Sequence, residues 1–121
     1  MIQVPKRAYK STLDERTLEF AKQIIRICKE LPRDVVTIEL VKQLIRSGTS
    51  VGANYREAND ALSRKDFIYR LRITRKEGKE TLYWLECIIE AHPHLTLSIE
   101  PHKQECRELI KIFSSIIQKS G

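Results

Sequence analysis

Apolar positions recur along this chain with the period of a helix, not of a strand. Val41, Leu44, Ile45, Gly48, Val51, Gly52, Tyr55, Ala58 and Leu62 fall at i, i+3, i+4, i+7 intervals and form one stripe. That stripe runs unbroken through the uncharged, small-residue run Ser47-Gly48-Thr49-Ser50-Val51-Gly52-Ala53-Asn54-Tyr55. At about 100° per residue the far side of the same helix holds Ser47, Ser50, Ala53 and Asn54, with Glu57 on the next turn. A solvated helix shows Lys and Glu there. Small neutral residues predict a helix covered on both sides, by its own bundle and by something else. The competing reading is a loop, with Gly48 ending one helix and Gly52 in a turn. Each glycine costs a helix interior about 1 kcal/mol, but the unbroken phase favours the continuous helix. No Gly-Lys-Ser/Thr follows, so the run is not a phosphate-binding loop. Gly48 and Gly52 as G-x-x-x-G say only that another helix can come close.

The same period predicts three more helices. Thr12-Leu13-Asp14-Glu15 reads as a capping box opening a helix over 12–31, with Leu13, Phe20, Ala21, Ile24, Ile27 and Cys28 on its stripe and Pro32 ending it. Leu18 and Ile25 lie beside that stripe, so the apolar surface is wider than one seam requires. The second helix is expected over 34–62, capped by Asp34 or by Thr37. Ser63-Arg64-Lys65-Asp66 caps a third over 64–91, with Phe67, Leu71, Thr74, Gly78, Thr81, Leu85 and Ile88 inward. His92-Pro93-His94 breaks it. A fourth helix is expected over 98–119, with Pro101 in its first turn. Residues 1–11 read as a flexible basic tail. The expectation is an all-α, antiparallel up-down-up-down four-helix bundle in a single domain.

Charge sharpens the picture at one place. The chain carries a net +6, and Arg64–Lys79 alone accounts for +5 of it through Arg64, Lys65, Arg70, Arg72, Arg75, Lys76 and Lys79 against Asp66 and Glu77. Lys65, Arg72, Lys76 and Lys79 share one face of the third helix, flanked by Arg64 and Arg75. Such a face neutralises nucleic-acid phosphates, with little aromatic interleaving to suggest base stacking. The plain alternative is a solvated charged face. No apolar run approaches the ~20 residues of a membrane span, and no apolar signal core appears near Met1, so a cytoplasmic protein is expected. Cys28, Cys87 and Cys106 form no C-x-x-C, and reduced thiols are expected.

Several stretches together resemble a known family. Arg16-Thr17-Leu18-Glu19-Phe20-Ala21, the run from Gln43 to Ala58, Asp66-Phe67, and Lys76-Glu77-Gly78-Lys79-Glu80-Thr81-Leu82-Tyr83-Trp84-Leu85 are similar to bacterial four-helix-bundle proteins named for intervening sequences of 23S ribosomal RNA genes. The resemblance spans about Thr12 to the C-terminus. Gly78 departs from it, since an Ala is more usual there. The resemblance implies a ring-shaped homo-oligomer, a pentamer, and no enzymatic activity is established for the family. The related accessory protein of diversity-generating retroelements is a basic pentameric bundle that binds nucleic acid.

Other chemistry finds less support. A di-iron bundle needs Glu-x-x-His, and no Glu here has a His three residues on. His102 and Cys106 are i, i+4, but with His92 and His94 they read as a chance cluster, so no metal or cofactor is expected. Arg56, Glu57, Asn54, Glu77, Glu80 and Arg70 read as a polar cluster fixing helix register. The resulting expectation is a non-enzymatic homo-oligomer that binds RNA or DNA backbone through Arg64, Lys65, Arg72, Arg75, Lys76 and Lys79. Its contact between copies is expected at Ser47, Ser50, Ala53, Asn54 and Glu57. The alternative is a protein-interaction scaffold with no nucleic-acid ligand.

Overall fold

A computed structural model describes the backbone of residues 5–120 and the side chains of residues 12–120. Four long helices follow one another: α1 (Pro5–Glu30), α2 (Val35–Asn59), α3 (Arg64–Ala91) and α4 (Thr96–Ser120), with a 3-10 turn over Pro93–Leu95 ahead of α4. No strand occurs among the described residues. Cross-helix contacts run in opposite directions along each successive pair. Ser47 meets Thr81 while Glu57 meets Arg70. Arg75 meets Ser114 while Glu86 meets Lys103. The helices therefore alternate up and down, and α1 closes against α4 through Arg16, whose guanidinium grips Glu105 at 2.7 Å and Glu108 at 2.9 Å.

The ends of the helices follow local chemistry. Asp34 caps α2, accepting from the Thr37 amide at 2.9 Å, so Thr37 is the capped residue and not the cap. Ser63 caps α3 by accepting from the Asp66 amide at 3.1 Å. α1 begins at Pro5 and not at Thr12: no Gly or Pro interrupts Lys6–Ser11, so the helix runs upstream of the expected box and Thr12 becomes an interior residue. Of the tail expected over 1–11, Pro5–Ser11 is thus helical and residues 1–4 lie outside the described residues. α2 stops at Asn59, short of Leu62, which stands fully in solvent. α4 starts at Thr96, two residues before Ser98, which puts Pro101 in the second turn at the loss of one helical hydrogen bond.

The core gathers Phe20, Ile24, Leu44, Val51, Tyr55, Leu71, Leu85, Ile88, Leu109 and Phe113 from all four helices. Its hydroxyls are satisfied locally. Thr17 Oγ1 reaches the Leu13 carbonyl at 2.8 Å, and Thr74 Oγ1 the Arg70 carbonyl at 3.0 Å. The central run is continuous helix within α2. A Cβ on Gly48 would stand 3.0 Å from Ile24, and one on Gly52 would stand 3.0 Å from Thr17 Oγ1. The close partner of G-x-x-x-G is therefore α1 of the same chain.

Ser47 requires a correction. It was expected on an outward face, but it is completely buried between α2 and α3, its Oγ 2.9 Å from Thr81 Oγ1. The α2–α3 crossing turns that edge of α2 inward, so Ser47 is not available to a second copy.

Candidate nucleic-acid interface

The outward face of α3 is set by what its inward face buries. Leu71, Thr74, Gly78, Thr81, Leu85 and Ile88 pack against α2 and α4. The helical period then leaves Lys65, Arg72, Lys76 and Lys79 exposed on the opposite side, with Arg64 exposed at the start of the helix and Arg75 half-buried at its flank. Arg64, Lys65, Arg72 and Lys79 take no ion pair among the described residues. Arg75 donates to Ser114 Oγ at 3.3 Å and keeps the rest of its guanidinium free. Lys76 is 3.5 Å from Glu80.

Glu80 is already engaged elsewhere. Arg46, from α2, binds Glu80 and, at 3.2 Å, the buried carboxylate of Glu77. Hydrogen bonding to Glu80 is the main influence raising the pKa of Arg46. The polar cluster expected for helix register thus centres on Arg46, a residue the sequence reading passed over. Arg70 adds only long contacts, 3.9 Å to both Glu57 and Asp66.

Arg72, Arg75, Lys76, Lys79, Glu80, Tyr83 and Trp84 together line an open groove of about 460 Å³. The two aromatics meet edge to face, ring centroids 4.9 Å apart. Tyr69 stands on the same face, one turn before Arg72, and both Tyr69 (59%) and Tyr83 (58%) are largely exposed. Aromatic interleaving is therefore present, against expectation. Its signal is legible in the spacing Lys65, Tyr69, Arg72, Lys76, Lys79, Tyr83, which steps by four and three residues in turn.

On α2, Ala53 and Glu57 are exposed, and Ser50 and Asn54 half-buried. The polar side chains here turn back on their own helix. Ser50 Oγ donates to the Arg46 carbonyl at 2.6 Å, Thr49 Oγ1 to the Ile45 carbonyl at 2.7 Å, and Asn54 Nδ2 to the Ser50 carbonyl at 2.9 Å. Thr49, Ser50 and Asn54 thus present an uncharged surface whose hydroxyl and amide donors are satisfied within the helix, with Glu57 charged at its end. Beside it Leu18, Ile25, Ile38 and Ile45 are exposed on α1 and α2. The last three line an apolar groove of about 370 Å³ with Val41 and Cys28.

The remaining candidates are structural. Burial pushes the Cys106 thiol up to about 12 and the Cys28 thiol up to about 11. Cys106 Sγ donates to the Gly78 carbonyl at 3.1 Å. Burial also lowers the pKa of His102. His92 Nε2 lies 2.8 Å from Thr37 Oγ1, tying the end of α3 to the start of α2. No group of three His, Cys, Asp or Glu side chains gathers to hold a metal among the described residues, and no described helix is long and apolar enough to cross a membrane.

These features define a class: a small all-helical bundle with a largely unpaired cationic face on α3 and an apolar groove between α1 and α2. The chain belongs to the family of 23S rRNA-intervening sequence proteins, whose model matches residues 10–115. It is similar to a crystal structure of a protein of unknown function from the S23 ribosomal protein family of Bacteroides thetaiotaomicron, at 40% identity and a TM-score of 0.78, covering 87% of this chain and 97% of that one. No curated protein matches the chain.

Proposed function

We propose that the protein is a non-enzymatic nucleic-acid-binding homo-oligomer that holds RNA or DNA by its phosphates. One observation carries this reading. The cations of α3 are gathered on one outward face, and four of them, Arg64, Lys65, Arg72 and Lys79, are free of carboxylate partners. Elsewhere among the described residues Arg16, Arg26, Lys42, Arg46, Lys103 and Arg107 sit in ion pairs. The unpaired Lys22, Lys29, Arg33, Arg56, Lys111 and Lys119 are divided among α1, α2, α4 and the α1–α2 connection. Unpaired cations on a single face gain by releasing counterions from a phosphate backbone. Backbone contacts of this kind position a nucleic acid without reading its sequence. Membership in a family named for ribosomal-RNA intervening sequences favours RNA as the first ligand to test.

Assembly multiplies the effect, because each added copy brings another stripe. The copies meet through Ser50, Ala53, Asn54 and Glu57 of α2, extended by the exposed Leu18, Ile25, Ile38 and Ile45.

The test is fluorescence anisotropy of a labelled RNA at rising salt, with wild type and with Lys65, Arg72, Lys76 and Lys79 changed to Ala. Wild-type affinity is expected to fall linearly on a log–log plot, and each lost cation to reduce the slope by about 0.7–0.9. A flat salt response, or equal binding by the quadruple variant, overturns the reading.

A further inference from the structure

We infer that the α3 stripe is a single-strand site, in which Tyr69 and Tyr83 stack on unpaired bases while Arg72, Lys76 and Lys79 hold the phosphates between them. This rests on the nucleic-acid reading above and names the form of ligand. The stripe runs Lys65, Tyr69, Arg72, Lys76, Lys79, Tyr83 along a single helix face, so cations and aromatic rings alternate on one line. Both tyrosines are more than half exposed. The other aromatics of α3, Phe67 and Trp84, are partly buried against the core. Core packing therefore accounts for Phe67 and Trp84, whereas Tyr69 and Tyr83 stay outside the core, Tyr83 in edge-to-face contact with Trp84.

Geometry favours a strand over a duplex. Tyr69 and Tyr83 are fourteen residues apart, about 21 Å along the helix. That separation fits stacking at the two ends of a run of several nucleotides. In a duplex the base faces are covered by their neighbours, and a surface tyrosine finds only sugar and phosphate. A single strand offers free π-faces, and stacking on them tolerates any sequence. Tyr83 is held in place by its edge-to-face contact with Trp84, 4.9 Å between centroids, so little freedom is lost when a base arrives. Arg75, which also lines the groove, adds a planar guanidinium that stacks as well as pairs. The one carboxylate in the groove, Glu80, is paired with Arg46 of α2, which offsets its repulsion of the backbone. The 3.5 Å contact from Lys76 is a weak one that a phosphate can replace.

The chain provides its own reporter, since Trp84 is its only tryptophan and lies against Tyr83. The full-length protein is titrated with a uridine-rich RNA of roughly 12 nucleotides and with the same strand paired to its complement. The strand is expected to quench Trp84 emission and the duplex to leave it unchanged. Tyr69→Ala and Tyr83→Ala are each expected to weaken strand binding roughly 5- to 150-fold at fixed salt, with duplex affinity and salt slope unchanged. Tyr69→Phe and Tyr83→Phe, which keep the ring, are expected to bind as wild type. Equal losses on strand and duplex, or none on the strand, overturn the inference. So does a change of solution mass in Tyr83→Ala, which makes that ring a contact between copies. If wild type binds neither ligand, the nucleic-acid reading itself falls. If both ligands bind and weaken with the cation variants while the tyrosine variants change nothing, only the stacking falls.

Discussion

Gly48 and Gly78 are both helical glycines that face an isoleucine, yet one isoleucine is fully buried and the other half-buried. At Gly48 the obstacle is Ile24, fully buried, with its own Cβ 3.3 Å from where the new atom would sit. Gly48→Leu should lower unfolding stability by about 1–3 kcal/mol through overfilling, read as a reduced denaturant midpoint. At Gly78 the obstacle is Ile110 Cγ1 at 3.1 Å, on a β-branched but half-buried side chain with room to shift by a few tenths of an ångström. Gly78→Ala should be neutral or should stabilise α3 by up to about 1 kcal/mol, the helical preference of Ala over Gly. Cysteine reactivity separates in the same way. The buried Cys28 and Cys106 thiols are held neutral, so a thiol reagent should modify only the partly exposed Cys87 in the native protein and all three after unfolding. The inert character of Cys28 and Cys106 was readable from their positions on apolar stripes. The role of Ser47 was not, because a helical wheel cannot say which of two flanks a neighbouring helix will cover.

The start of α2 links two element ends. Asp34 accepts from the Thr37 amide and from Thr37 Oγ1, the latter at 3.0 Å, and the same Thr37 hydroxyl meets His92 at the end of α3. Hydrogen bonds from Thr37 hold the Asp34 carboxyl below the usual carboxylate range. A carboxyl with a lowered folded pKa stabilises the fold above its unfolded pKa, and that contribution is lost as pH falls through the folded value. Asp34→Ala should therefore lower the melting temperature at neutral pH, and the gap from wild type should close in strong acid. Parallel thermal melts followed by circular dichroism across that range check it. A gap that persists in strong acid would assign the effect to something other than the ionised cap. Helix limits were legible where a side chain closes the first turn: Ser63 opened α3 at the expected residue. They were missed where propensity simply continues, as upstream of Thr12 and ahead of Ser98.

For the whole molecule the open surface of α1 and α2 is the counterpart of the cationic face of α3. Small, self-bonded side chains at Thr49, Ser50 and Asn54 allow close approach without leaving polar groups unpaired. Ile25, Ile38 and Ile45 add apolar area next to them. If copies meet here, Ala53→Glu and Ile45→Glu should each reduce the mass measured by light scattering while helical content is retained, since both residues are exposed in the single chain. Unchanged mass in both would move the contact elsewhere. Dissociation should also weaken RNA binding in the salt titration, because each copy then offers its stripe alone.

The sequence by itself determined the helical class, the alternation of the four helices, most of the core and the one-sidedness of charge on α3. These follow from periodicity and spacing within single elements, which a linear chain records. Only the tertiary structure decided which cations stay unpaired, that Arg46 neutralises Glu77 and Glu80, that Ser47 is internal, and that Tyr69 and Tyr83 remain in solvent beside the basic groove. Each of these depends on a neighbouring helix being present or absent at one flank. That is settled by how the four helices cross, not by the residues of any one of them.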